Sequence, residues 1–298
     1  MTNQETDQLF LNISSEYGAL SSVLVCGGAT AVAPEEVETL EKKHGDDYSQ
    51  RGLTYHPETD YWDVPLLRTQ LRVFHQILKS RGVKLLFPAD IPEAWLQFFA
   101  RDVGFVVGDT FYSPVLRHNI RRLEKDGLEN LRPSFPNWVT LTTPSLEGGD
   151  VFVHGTRVFV GISRQTTWPA FDEFRGNVEQ KGFECVPIAC EESVLHLDCR
   201  FNIVSQGEAV LSRSGITPAG VKTLEKHFEL IEITDQELLT LATNYLILSP
   251  AEVAVDKRNE RVARILQNAG YEIISLEFTE PTKVWGGLRC ATCPLERK

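Results

Sequence analysis

No stretch of the 298-residue chain approaches the roughly 18 consecutive apolar residues of a membrane span. Its opening segment, Met1 to Asn12, is polar and acidic and lacks the basic start and apolar centre of a secretory leader, so the expected compartment is the cytoplasm. Cysteine is sparse: 6 residues in a chain this long are too few for a secreted disulfide scaffold. Basic residues are in deficit, 30 against 41 acidic ones, for a formal charge of −11. That excess excludes the usual electrostatics of a nucleic-acid or anionic-membrane partner and permits a cationic ligand. Neither G-x-G-x-x-G nor a P-loop lysine occurs, so the phosphate-binding loops of an open doubly wound sheet are missing. No Pro/Ser-rich linker divides the sequence, and one domain over residues 1–298 is expected. What is present, 42% hydrophobic and 24% charged residues with 21 Gly and 15 Pro, is the balance of a globular protein.

One phrase recurs: an amphipathic helix, a glycine, then an apolar strand. Leu67, Leu71, Phe74 and Leu78 fall at helical spacing before Gly82 and the strand 83–87. Phe171, Phe174 and Val178 stand likewise before Gly182 and 183–188, and Val262, Ile265 and Leu266 before Gly270 and 271–276. A copy without the glycine runs from Val221, Leu224 and Phe228 into 229–233. The three glycines lie 100 and 88 residues apart. The glycine-free copy halves the second interval, and a helix over Leu116 to Asp126 would halve the first. A period of roughly 45–50 residues fits about five times into the chain, which suggests a closed pseudo-symmetric array.

Polar residues interrupt apolar strands at four places: Phe99-Ala100-Arg101-Asp102, Glu147-Gly148-Gly149-Asp150, His196-Leu197-Asp198 and Gly286-Gly287-Leu288-Arg289-Cys290. Taken singly, each has an ordinary explanation: a surface ion pair, a structural histidine, or a turn whose glycines supply positive φ. Cys290 and Cys293 could also read as half of a zinc site, although only Cys185 and Cys190 offer another close pair. Cys26, Cys185 and Cys199 read as core residues. Together, a cysteine, a histidine and several carboxylates from distant parts of the chain are the ingredients of nucleophilic attack on a planar, cationic carbon.

In this order and spacing the segments F-x-R-D, E-G-G-D-V, H-L-D-x-x-F-N and G-G-x-R-C resemble the pentein superfamily. That group holds arginine deiminases, dimethylarginine dimethylaminohydrolases, agmatine deiminases and amidinotransferases. The resemblance covers essentially the whole chain and implies an α/β fold, a five-bladed pseudo-symmetric propeller of ββαβ-type units. Residue by residue, it implies that Cys290 is the nucleophile, His196 the general acid/base and Glu147 the acid beside it. Asp102 and Asp198 match carboxylates that grip the guanidinium nitrogens. Arg117 and Arg164 match arginines for a substrate carboxylate, and Arg289 resembles an arginine of the deiminases. Cys293 reads as a neighbouring structural thiol, as in amidinotransferases. No metal or organic cofactor is implied, the partner is a small guanidino substrate, and a homodimer is the default assembly.

The chemistry needs such groups. An ordinary cysteine is mostly protonated at neutral pH, so a nearby imidazole and the substrate's own charge must stabilise the thiolate. Paired carboxylates fix the flat guanidinium against the sulfur. One histidine can then serve as acid and afterwards as base, because a covalent intermediate separates the two steps. A second carboxylate at Asp198 favours an unsubstituted guanidinium, since a methyl group there would leave it unpaired at roughly 1–3 kcal/mol. Hydrolysis of arginine or a close derivative is the preferred expectation. Amidino transfer to an amine is the alternative, and a non-catalytic binding module the third reading.

Overall fold

The computed structural model describes residues 9–46 and 61–298; residues 1–8 of the polar N-terminal segment lie outside that range. The chain begins with β1 (Leu20–Leu24), α1 (Pro34–Lys43), α2 (Val64–Ser80) and β2 (Lys84–Leu86). It continues with β3 (Phe105–Val107), β4 (Thr110–Ser113), α3 (Asn119–Arg122) and β5 (Trp138–Thr140). Next come β6 (Val151–His154), β7 (Arg157–Ile162), α4 (Trp168–Glu179) and β8 (Glu184–Ala189). A fourth set is β9 (Phe201–Ile203), β10 (Glu208–Leu211), α5 (Pro218–Leu224) and β11 (Glu229–Glu232), followed by α6 (Asp235–Leu238). The last elements are β12 (Leu246–Ser249), β13 (Glu252–Asp256), α7 (Glu260–Asn268), β14 (Glu272–Leu276), α8 (Thr279–Lys283) and β15 (Cys293–Arg297).

These strands form five three-stranded sheets. In every sheet the middle strand pairs antiparallel with one neighbour and parallel with the other, the parallel step being the crossover through a helix. The unit is therefore ββαβ, as the family resemblance implied. Middle strands are buried over most of their length, as in Phe111-Tyr112, Val158-Phe159-Val160 and Val253-Ala254-Val255. The fifth sheet is assembled from both ends of the chain: C-terminal β15 pairs antiparallel with β1, which pairs parallel with β2. No described helix is long and apolar enough to cross a membrane.

The expected helix–glycine–strand phrases form for a definite reason. Gly82, Gly182 and Gly270 take φ of +76°, +86° and +101°, and the next residue donates back across the turn: Val83 to Leu78, Phe183 to Val178, Tyr271 to Leu266. Each helix thus ends in a left-handed cap that only glycine adopts without strain and turns directly into its strand. The helix expected over Leu116 to Asp126 is instead one turn, Asn119–Arg122, followed by 3₁₀ turns to Leu128. Asp46 sets its start by accepting from Asn119 N (2.9 Å) and Ile120 N (2.7 Å). The Pro114 and Leu116 carbonyls take side-chain donors, Lys125 Nζ and Arg122 Nε, in place of helical N–H groups.

Candidate active site

Each unit mounts a polar residue two to four positions before its first strand: Asp102 before β3, Glu147 before β6, Asp198 before β9, Asn244 before β12 and Cys290 before β15. Asp102, Asp150, Asp198, Asn244 and Cys290 stand 48, 48, 46 and 46 residues apart. The repeat thus brings five sequence-distant loops to one place. The second position, Asp150, lies inside a short 3₁₀ turn, Gly148–Asp150, and the third interval reaches Asn244, which the motif reading missed.

Asp102, His196 and Cys290 line one narrow pocket with Arg121, Gln165 and the apolar side chains Leu96, Phe99 and Val284. Leu195 and Trp285, both half-buried, stand at its mouth. Cys290 is 3% exposed and His196 2%. Asp198 Oδ2 lies 3.4 Å from Cys290 Sγ. Asn244 holds the cysteine at two points: its Nδ2 donates to Sγ (3.1 Å) and its Oδ1 accepts from Cys290 N (3.0 Å).

His196 is held from both ring edges. Nε2 is 2.7 Å from Glu147 Oε2, and Nδ1 is 3.6 Å from Asp102 Oδ1. Glu147 is itself fixed by Arg117 N, which donates to Oε1 (2.9 Å). Burial alone would discharge the imidazole, but Asp102, Glu147 and Asp150 outweigh it and hold its pKa well above the usual value. Burial likewise opposes the charge on Glu147, yet the bond from His196 prevails and brings its pKa down to about 2. The two form an ion pair. Asp150, pushed up to about 7 chiefly by burial, accepts from Thr166 Oγ1 (2.6 Å) and Leu197 N (2.8 Å) and so sets the histidine loop. Cys290 goes the other way: the bond with the Cys199 thiol, burial and the Asp198 charge together raise it well above an ordinary thiol. At rest it is protonated.

The glycines of Glu147-Gly148-Gly149-Asp150 serve close approach and not positive φ. A Cβ on Gly148 would lie 2.0 Å from the Arg101 carbonyl oxygen, and one on Gly149 would lie 2.7 Å from His196 Cγ. Gly286 is packed as tightly against Phe99, at 2.0 Å. Cys293 is fully buried and donates to the Gly104 carbonyl (3.1 Å), as a structural thiol does. Among the described residues, the one cluster of His, Cys, Asp and Glu atoms close enough to hold a metal is Asp102, Glu147 and His196. No cysteine belongs to it, so the zinc reading of the C-x-x-C pair finds no ligand set.

The arginines divide. Arg289 does not line the pocket: it is 1% exposed, stacks over Phe152 (3.7 Å) and donates from Nη1 to Asp198 Oδ2 (3.0 Å) and from Nη2 to the Val151 carbonyl (2.8 Å). The expectation that it contacts substrate is corrected to a role in holding Asp198. Arg117 faces an open cleft that shares His118 with the pocket, and its Nη1 donates to the Arg164 carbonyl (2.7 Å). Arg164 is partly exposed, with Nη2 3.8 Å from Glu192. Arg121 was not anticipated. Its Nη1 donates to Asp102 Oδ2 (2.7 Å), while Nε and Nη2 grip Glu124 at 2.8 Å each.

Comparison with known proteins agrees with this architecture. The arginine deiminase family model matches residues 219–297. An uncharacterized Bacillus subtilis protein, YkgA, is 30% identical over 287 residues, covering 95% of this chain and 94% of its own. The chain belongs to the pentein superfamily. The pentein arginine deiminase of Mycobacterium avium is 25% identical over 239 residues, and the match spans 60% of that protein's length and 67% of this chain. Among solved penteins, SxtG, an amidinotransferase from Microseira wollei, superposes with a TM-score of 0.76 at 19% identity, covering 97% of both chains. A DDAH from Pseudomonas aeruginosa, solved with citrulline, superposes at 0.74 with 18% identity over 93% of this chain and 99% of its own. These pentein neighbours share the five-unit fold.

Proposed function

We propose that the protein is a single-domain hydrolase of the guanidinium C–N bond in arginine or a close derivative, working through a covalent thiouronium on Cys290. One observation carries this reading: a cysteine, a carboxylate and a carboxylate-held imidazole line one pocket, with the buried Asp198 directly behind the cysteine, 3.4 Å from its sulfur. Arg121 and Arg289 each occupy one oxygen of Asp102 and Asp198, which sets both carboxylates rigidly. The substrate guanidinium is held between them, and Arg117 and Arg164 meet its carboxylate in the cleft beyond His118.

The entering cation replaces the proton on Cys290 as partner of Asp198, and that proton passes to solvent, where the released ammonia takes it up. The thiolate thus forms only with substrate bound, and on its final departure the sulfur regains a proton from the hydroxyl of the nascent ureido product. Sulfur attacks the guanidinium carbon and a tetrahedral adduct forms. His196, charged at rest, gives its proton to the departing nitrogen, and the C–N bond breaks to leave a thiouronium. Neutral His196 then takes a proton from water, whose oxygen attacks the same carbon and displaces the sulfur. Glu147 stabilises the charged imidazole in both steps.

Incubation with arginine, agmatine and methylated arginines, with and without glycine as acceptor, tests this. Ammonia or a methylamine with a ureido product is expected. Two ammonias with ornithine still mean hydrolysis; product formed only with the acceptor replaces hydrolysis with amidino transfer. No product from any of these overturns the enzymatic reading.

A further inference from the structure

Behind the site, toward the strands of the first and third units, the core holds three guanidiniums. Arg101, Arg289 and Arg297 are 4%, 1% and 3% exposed. Two carboxylates, Glu16 and Asp198, stand against them: Arg289 pairs with Asp198 and lies 3.4 Å from Glu16. Among the described residues, three positive charges against two negative leave an excess of one in this buried cluster. Their N–H groups are also incompletely used. Arg297 Nη1 donates to the Gly18 and Ile247 carbonyls, and Arg101 Nε donates weakly to the Arg289 carbonyl (3.4 Å). Arg101 Nη2 and Arg297 Nε and Nη2 are buried with no acceptor among the described residues. A buried, unmade hydrogen bond on a charged group is among the costliest features a core can contain, and arginine cannot escape by losing its proton.

These idle donors share a space. Arg101, Arg297 and Glu16 line one enclosed cavity of about 10 Å³, the room of a single water-sized occupant, whose remaining wall includes Phe105, Val151 and Val153. We propose that this cavity is a binding site for one small monovalent inorganic anion of halide size. Such an ion accepts from both guanidiniums at once and cancels the single excess charge, whereas a water satisfies donors without removing charge. Oxyanions and carboxylates are too large for it. The field of the cluster agrees: burial first, and then Arg101 and Arg289, bring the Arg297 pKa down to about 10, which leaves it charged at neutral pH.

The position gives the ion a structural consequence. Arg297 lies on β15, the strand that closes the ring, and Arg101 donates its N–H to the Cys290 carbonyl (3.0 Å) and precedes Asp102. An ion between them ties the closing strand to the loops that carry Cys290 and Asp102.

The test uses the full chain. Crystals grown in sodium bromide should show an anomalous peak in contact with Arg101 Nη2 and Arg297. Melting in about 150 mM chloride or bromide should exceed that in gluconate of equal ionic strength, too bulky for the cavity, by about 2–4 °C. Arg297 also holds main-chain carbonyls and its replacement could prevent folding. Glu16→Gln removes the one repelling charge that lines the cavity, and should lower the halide concentration for half-effect by about tenfold. A cavity holding water alone in the bromide crystals, or melting that rises equally in gluconate, overturns the proposal. Neither result bears on the Cys290 chemistry.

Discussion

Asp198→Asn separates two properties of Cys290 that usually move together. The Asp198 oxygen is 3.4 Å from Sγ. At an effective dielectric of about 20 a full charge at that distance opposes thiolate formation by about 5 kcal/mol. Arg289, 3.0 Å from the same oxygen, cancels part of this, so substitution should lower the thiol pKa by less than an isolated charge would. The Cys199 bond and burial, which also raise the thiol, stay in place. The assay is thiolate ultraviolet absorbance against pH in the substrate-free protein, each form corrected with its own Cys290→Ser counterpart. Asp198→Asn should ionise more readily than wild type while turnover of arginine collapses, because the guanidinium has lost a grip. An unchanged or higher thiol pKa would refute the placement of Asp198 as the group that keeps the resting cysteine neutral.

Glu147→Gln should lower kcat by about 10²–10⁴-fold, measured on the substrate that the product assay selects. Its stability effect has a definite pH window. Glu147 titrates near 2 in the fold against 4.5 ordinarily, so its contribution, about 3 kcal/mol, is full above about pH 4.5 and lost as pH falls through 2. His196 is raised, so its share is full below 6.5 and lost as pH rises through its folded pKa. Urea unfolding should therefore show the largest gap between wild type and Glu147→Gln from about pH 4.5 to 6.5. Gly149→Ala pushes a methyl against His196 and Asp102 and should cost about 1–3 kcal/mol of unfolding free energy and about 10²-fold in kcat. Asn244→Ala removes both ties to Cys290 and should reduce kcat far more than it changes KM, read from steady-state kinetics.

The repeating helix, glycine and strand can be read from the sequence because amphipathic spacing and the left-handed cap are local. The closing sheet cannot: its pairing of β15 with β1 joins opposite ends of the chain, and neither strand advertises the other. The connection between β4 and β5 shows the same limit on a smaller scale. Leu116 to Asp126 has a helical composition, but Asp46 and the side chains of Arg122 and Lys125 take over its hydrogen bonding. Within the site, Cys290, His196, Glu147, Asp102 and Asp198 stand out as polar groups before apolar strands. Asn244 hides beside an apolar run, although one more step of the 46-residue interval from Asp198 lands on it. Arg121 reads as a surface partner of Glu124 at i,i+3, and only the fold turns it toward Asp102. Arg289 adjoins the nucleophile in sequence, yet both lie in a turn ahead of β15, where the Arg289 side chain leaves the pocket to meet Asp198 and Phe152.

The central claim is a covalent bond to one named sulfur, and mass spectrometry of acid-quenched protein caught during turnover with arginine tests it most directly. The account predicts an adduct on the peptide containing Cys290, carrying the substrate's carbon skeleton less one ammonia, and absent from Cys290→Ala. An adduct carrying the amidino group alone would keep Cys290 as nucleophile but make the enzyme a transferase. Turnover with the adduct on Cys199 or Cys293 instead would contradict the account.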